Sequence, residues 1–200
     1  MQRMSQPDKL LVFAGSTRTQ SWNRQLAAEA ARMARADGAE VTHLELTDFE
    51  LPLYNADLEA RGTPAAAIRL KEIFDAHPGW IICSPEYNGS YTALLKNTLD
   101  WVSSPVRGHP EWSSGTRPFT GKVVGLLSAS PGALGGLRSL EHLAPLLLNL
   151  QCWVAPKQFA VSRAGEAFGP EGQLASETSR ASVRAVVEQV LAASQRLQGL

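Results

Sequence analysis

The chain has 200 residues, of which 44% are hydrophobic and 19% charged, and its 19 basic residues balance 19 acidic ones. This size and composition predict a single domain, residues 1–200, with a sizeable core. The zero net charge argues against nucleic acid or an anionic membrane as the main partner, and no apolar stretch is long enough to span a membrane.

Strand and helix patterns alternate along the chain. The first strand pattern is apolar throughout, as in a strand covered on both faces, whereas the second alternates and so lies nearer an edge. The predicted strands are residues 9–14, 40–46, 79–83, 122–127 and 151–154. The predicted helices are residues 22–36, 63–76, 92–103, 136–150 and 175–197.

Capping residues support two of these helices. Ser21 is a plausible N-cap for the first helix, and Thr63 is expected to cap the second with Pro64 at the first helical position. Five strands alternating with five helices predict a parallel sheet with helices on both faces. Ligands of such sheets bind beyond the carboxyl ends of the strands, so the loops after strands one, three and four should share one edge.

The first of these loops is GSTRTQSWN, residues 15–23. It combines hydroxyl side chains, the guanidinium of Arg18 and the free backbone N–H groups of a helix that begins near Trp22. Helix N-termini and arginine both favour phosphate oxygens, so the loop predicts an anion site. The alternative is an ordinary capped turn with a solvated arginine. A GxxxxGK[ST] loop and a GxGxxG loop are both absent here.

The other two loops are SPEYNGS, residues 84–90, and SASPGALGG, residues 128–136. Asn88-Gly89 favours a tight turn with positive φ, which presents backbone groups that suit the edge of a flat heteroaromatic ring, with Tyr87 as an aromatic wall. The small residues of the third loop let backbone approach a ligand closely. Taken singly, SPEYNGS is also compatible with an ordinary surface turn, and SASPGALGG is also compatible with a flexible loop.

These motifs resemble those of the NADPH-dependent FMN reductase family. GSTRTQSWN resembles its GSxRxxSxN phosphate loop, and SPEYNGSYTALLKNTLDW is similar to its SPEYNxSxxxxLKNxxDW signature. SASPGALGGLRSLEHL resembles its small-residue loop that ends in GG and is followed by an arginine. LPLYNADL, residues 51–58, resembles its LPLYxxDL segment. The resemblance covers roughly residues 9 to 155, in the family's order.

The resemblance implies a flavodoxin-like α/β three-layer sandwich with strand order 2-1-3-4-5 and non-covalently bound FMN. The first loop would hold the phosphate, the second would line the isoalloxazine, and the third would flank its other side. The cofactor-binding residues implied are Ser16, Arg18, Ser21, Trp22, Asn23, Pro85, Glu86, Tyr87, Asn88, Gly89, Ser128, Ala129, Ser130 and Gly132.

The resemblance also implies the reaction. NADPH, or NADH, would reduce FMN, which would pass two electrons to a small acceptor: a quinone, an azo compound, a metal oxyanion or free flavin. This chemistry needs no protein nucleophile, so no catalytic residue is assigned, and the four histidines form no metal set. The alternatives are an FMN electron carrier that serves a protein partner, and a scaffold with an empty site; flavodoxin carriers tend to be acidic, whereas this chain is neutral.

Three further expectations concern location, assembly and one long connection. Residues 1–9 lack a signal-peptide pattern, and Cys83 and Cys152 are isolated in apolar segments, which predicts a cytoplasmic protein. The resemblance implies a homodimer or homotetramer, although Gly89 stands where some relatives carry an aromatic residue. Residues 102–121 are interpreted either as a mobile insertion or as part of the acceptor or NADPH mouth.

Overall fold

The computed structural model describes residues 8–197, so most of the segment examined for a signal peptide lies outside the described residues. The strands β1 to β5 are Lys9–Ala14, Glu40–Leu44, Gly79–Cys83, Val123–Ala129 and Trp153–Val161. The helices α1 to α7 are Trp22–Ala36, Ala56–Arg61, Ala65–Ala76, Ala93–Ser103, Leu137–Asn149, Ala164–Ala167 and Glu177–Leu197, and a 3₁₀ helix spans Leu46–Asp48.

The five strands form one parallel sheet in the order β2-β1-β3-β4-β5, which confirms the predicted flavodoxin-like topology. Alternation along β1 explains its continuous apolar sequence: Leu10 and Val12 pack into the cluster with α1 and α7, whereas Leu11 and Phe13 pack into the cluster with α3, α4 and α5. None of the helices among residues 8–197 has the length and apolar character needed to cross a membrane.

Several predicted boundaries are wrong. β5 extends to Val161, well beyond the predicted end at residue 154, because Pro156 and Lys157 interrupt the apolar pattern. A register irregularity between β4 and β5 accommodates these residues at the sheet edge, where a missing backbone N–H is tolerated. Pro64, not Thr63, occupies the N-cap position of α3, and the short helices α2 and α6 were not predicted.

The connection between α4 and β4 lies at the amino edge of the sheet. α4 runs back across the sheet, and its end is fixed by Lys71, whose Nζ donates to the carbonyl of Val102 at 2.7 Å. Burial lowers the pKa of Lys71 to about 8. Farther along the connection, Phe119 packs against Trp80 near the start of β3, with ring centroids 5.6 Å apart. The interpretation of this connection as part of the mouth is therefore wrong for a single chain, since the three ligand loops lie at the opposite edge.

The LPLYN segment is bound to α4. The side chain of Asn97 accepts a hydrogen bond from the backbone N–H of Tyr54 at 2.7 Å and donates one to the carbonyl of Pro52 at 3.0 Å. The indole N–H of Trp101 donates to the same carbonyl at 2.7 Å. Two of the motifs that resemble the family are thus one structural unit, in which Asn97 and Trp101 hold a loop rather than a ligand.

Candidate functional site

The loops after β1, β3 and β4 meet at the carboxyl edge of the sheet, as predicted, and enclose a cavity of about 230 Å³. Open α/β sheets bind ligands at this position, where neighbouring crossovers leave in opposite directions. The cavity is lined by Ser16, Arg18, Ser21, Trp22, Asn23, Pro85, Glu86, Tyr87, Ala129, Ser130 and Pro131.

The first loop is held tightly at its base. The backbone N–H of Gly15 donates to the carbonyl of Cys83 at 3.0 Å, and Thr92 Oγ1 donates to the carbonyl of Gly15 at 2.7 Å. A Cβ at Gly15 would lie 3.1 Å from the Cβ of Leu95, so a side chain there would require Leu95 to shift by a few tenths of an ångström. Ser21 is the N-cap of α1, and its Oγ accepts the backbone N–H of Asn23 at 3.2 Å, which confirms the predicted cap.

Arg18 carries an uncompensated charge at the rim of the cavity. Its guanidinium lies 4.7 Å from the centroid of the Trp22 ring and donates to the carbonyl of Gln20 at 2.8 Å. Among residues 8–197, no carboxylate lies within ion-pair distance of this guanidinium. Beside the α1 N-terminus, this arrangement favours an anionic ligand.

Asn23 joins the first loop to the third. Its side-chain amide donates to the carbonyl of Ala129 at 2.8 Å, and its Oδ1 accepts the backbone N–H of Ala129 at 2.9 Å. The residue is only 3% exposed, so both bonds are shielded from water. The side chain that was expected to contact phosphate therefore has its polar atoms occupied by the end of β4.

The second loop adopts the predicted tight turn. Asn88 and Gly89 have φ values of 52° and 81°, and two backbone hydrogen bonds of 2.8 and 3.1 Å join Tyr87 to Ser90. Positive φ at both central residues is the requirement of a type I′ turn, which Asn-Gly meets at low cost. Tyr87 lines the cavity and is 55% exposed.

The third loop packs against the second through a buried carbonyl. Ser128 Oγ and Ser139 Oγ both donate to the carbonyl of Ser84, at 2.7 and 3.2 Å. Gly136 has a φ of 93°, and a Cβ there would lie 2.0 Å from Ser128 Oγ. This close approach requires glycine and fixes the start of α5 against the turn.

The cavity brings together all the predicted residues of the first loop and most of those in the other two. Four predicted residues do not line it: Asn88, Gly89, Ser128 and Gly132. Ser128 is fully buried and bonded to the second loop, and the Asn88-Gly89 pair shapes the turn. Pro131 was not singled out, although it lies within the segment that was expected to flank the ring. No cluster of potential metal ligands occurs within residues 8–197.

The donor set fits the flavin nucleotide that the resemblance implies. Hydroxyls, an unpaired guanidinium and the N-terminus of α1 suit a dianionic phosphate. The fixed backbone of the 85–89 turn and the aromatic face of Tyr87 suit a planar ring.

Comparison with known proteins agrees with this geometry. An NAD(P)H-dependent FMN reductase of Pseudomonas aeruginosa is 33% identical over 198 residues, which cover 98% of this chain and 100% of the relative. A quinone reductase of Pseudomonas putida is 32% identical, with 88% of this chain and 89% of the relative covered. The solved structure of FerB, a flavoenzyme NAD(P)H:(acceptor) oxidoreductase from Paracoccus denitrificans, has a TM-score of 0.79 and 26% identity over 94% of this chain and 98% of its own.

The sequence profile of NADPH-dependent FMN reductases matches residues 9–166, which include all three loops of the cavity. The chain therefore belongs to the NADPH-dependent FMN reductase family, whose members are oxidoreductases that use FMN and NAD(P)H.

Proposed function

We propose that the cavity is the FMN site and that the chain passes two electrons from NAD(P)H to a small acceptor. The observation that carries the assignment is the unpaired guanidinium of Arg18 beside Ser16, Ser21 and the α1 N-terminus. These groups would hold the phosphate, with the ring between the turn at Pro85–Tyr87 and the segment at Ala129–Pro131.

Bound FMN supplies hydride acceptance from a nicotinamide and electron transfer to a second substrate. The contribution of this chain is to bind and orient. The paired hydrogen bonds of the 87–90 turn fix the backbone groups that would face the ring, and the Ser84 carbonyl network holds the two walls at a fixed separation. Apolar atoms of Trp22, Pro85 and Pro131 would exclude water from the ring.

The proposed acceptors are quinones and similar small oxidants. Relatives named quinone reductase support this class, and the half-exposed Tyr87 leaves one side of the cavity open to such molecules. An open face selects weakly among substrates, so it would also admit azo compounds, metal oxyanions and free flavin. The electron-carrier alternative is disfavoured by the neutral charge of the chain, since carriers use acidic surfaces to dock partners.

The direct test mixes the purified protein anaerobically with FMN and then with NADPH. We expect one flavin per chain, bleaching of its absorbance within seconds, and recovery of the absorbance when a quinone is added. Bound flavin that NADPH leaves oxidised would favour the electron carrier. Failure to bind FMN would contradict the site assignment itself.

We further propose that the chain forms a homo-oligomer, a dimer rather than a tetramer, through the outer face of α5. Leu137 and Leu148 are 42% and 58% exposed, and their spacing of eleven residues places them on one side of the helix. Exposed leucines aligned in this way favour burial against another protein surface.

The buried free thiols of Cys83 and Cys152 are compatible with the cytoplasmic location that we also propose.

Sedimentation velocity tests this assembly. We expect the wild type to sediment as a dimer and Leu148→Glu to sediment as a monomer, because a carboxylate at the apolar contact would lose its hydration. Glu188→Lys, a charge change at an exposed position of α7 on the other face of the sheet, is the control. A wild-type monomer at micromolar concentration would contradict the proposal.

A further inference from the structure

Glu86 is a buried carboxylate in the wall of the cavity. Its side chain is only 9% exposed, although it lies on a loop at the edge of the sheet. Its Oε2 atom is inaccessible to water and has no hydrogen-bond partner. Burial of a carboxylate is costly unless another charge compensates it, so the surroundings of Glu86 decide how its charge acts on a ligand.

Arg138 provides that compensation. Its Nε donates to Glu86 Oε1 at 2.7 Å, and its Nη2 contacts the same oxygen. Two nitrogen atoms of one guanidinium therefore bind the same carboxylate oxygen, and the second oxygen remains unpaired. The Arg138 side chain is 58% exposed, so the pair spans from the solvent to the cavity wall.

The first turn of α5 brings the two residues together. Arg138 follows the glycines that end the third loop, whereas Glu86 belongs to the second loop. A Cβ at Gly136, the N-cap of α5, would lie 3.6 Å from the Cβ of Glu86, so the carboxylate also lies near the positive end of the helix. One turn farther along, His142 Nδ1 lies 3.0 Å from Ser90 Oγ, a second contact between α5 and the turn.

We propose that Arg138 is a positioning residue that fixes and neutralises Glu86, and that this pair sets the reduction potential of the flavin in the cavity. Reduction adds electron density to the ring, and a neighbouring carboxylate opposes it. With Arg138 in place, the pair presents little net charge. Without Arg138, the buried carboxylate would destabilise reduced FMN more than oxidised FMN. The inference rests on the proposed function, because it requires FMN in this cavity.

The test measures the midpoint potential and the affinity of bound FMN in the wild type and the variants at one fixed pH. We expect Arg138→Gln to lower the potential and Glu86→Gln to raise it. Each shift should correspond to a change of roughly threefold or more in the ratio of the dissociation constants of reduced and oxidised FMN, the scale of a partly exposed charge interaction. The double variant should return close to the wild-type potential, and Arg138→Lys should lie between the wild type and Arg138→Gln.

A matched control removes an ion pair far from the cavity. Arg184 Nη1 lies 2.6 Å from Asp37 Oδ1 and joins α7 to the end of α1 at the opposite edge of the sheet. Arg184→Gln should leave the potential unchanged.

A purely structural role predicts a different pattern. Arg138→Gln and Glu86→Gln would then both weaken the binding of oxidised and reduced FMN by equal factors, and the potential would not move. That result, or shifts of the same sign, would overturn the proposal while FMN binding by the wild type still supported the proposed function. Loss of binding in the wild type would instead contradict the function.

Discussion

Replacing Arg18 by glutamine is expected to raise the dissociation constant for FMN by roughly 10- to 100-fold. The guanidinium is the one side-chain cation in the cavity lining, and it has no carboxylate partner among residues 8–197. Hydrogen bonds to a charged group contribute about 1.5–3 kcal/mol, which corresponds to this change in affinity. Titration followed by quenching of flavin fluorescence measures the effect.

Comparing the affinities for FMN and riboflavin isolates the contribution of the phosphate group to binding. Riboflavin carries the same ring without the phosphate, so the wild type and Arg18→Gln should bind it with equal affinity. Arg35→Gln is the control, because Arg35 lies on the same helix but at its far end, where it donates to the carbonyl of Val41 at 3.2 Å. An equal loss of riboflavin and FMN affinity in Arg18→Gln would place the arginine at the ring or attribute its effect to the loop fold.

Trp22 gives the arginine a defined position before any ligand binds. Without the ring 4.7 Å away, the guanidinium would sample more conformations, and part of the binding energy would be used to order it. The proposed phosphate site would thus depend on Trp22, which the local pattern placed at the start of a helix and the family resemblance implied as a cofactor-binding residue.

Local periodicity was sufficient to predict most of the architecture. The apolar β1 and β3 and the alternating β2 predicted the centre and one edge of the parallel sheet, and the topology rule then brought three distant loops together. β5 was predicted too short because an edge strand tolerates residues such as Pro156 and Lys157, which interrupt an apolar pattern. The position of the connection after α4 could have been derived from the direction of the helix, which begins at the cavity and ends at the opposite edge.

The side-chain roles within the site were harder to predict. Asn23 and Ala129 are 106 positions apart, and no local pattern indicates that they bond to each other. The same holds for Glu86 and Arg138, which are 52 positions apart and belong to different motifs. Sequence reasoning identified the loops that form the cavity, but tertiary packing decides which side chains bond to other loops and which remain free for a ligand.

Replacing Asn23 by leucine is expected to lower the free energy of unfolding by about 2–4 kcal/mol. The variant keeps a similar volume but leaves the backbone N–H and carbonyl of Ala129 without partners at a site shielded from water. Each buried backbone group that loses its partner costs about 1–3 kcal/mol. Urea denaturation monitored by circular dichroism measures the change, with the slope of the transition as a check on two-state unfolding.

The Asn23 variants also separate the role of this residue in the fold from a direct role in phosphate binding. Asn23→Asp retains the acceptor for the Ala129 N–H but loses the donor to its carbonyl, so its stability should lie between those of the wild type and Asn23→Leu. Asn149→Leu, at the exposed end of α5, is the control and should change stability by less than about 0.5 kcal/mol. If Asn23→Leu kept wild-type stability but lost FMN affinity, the side chain would be a phosphate ligand, and its bonds to Ala129 would contribute little to the fold.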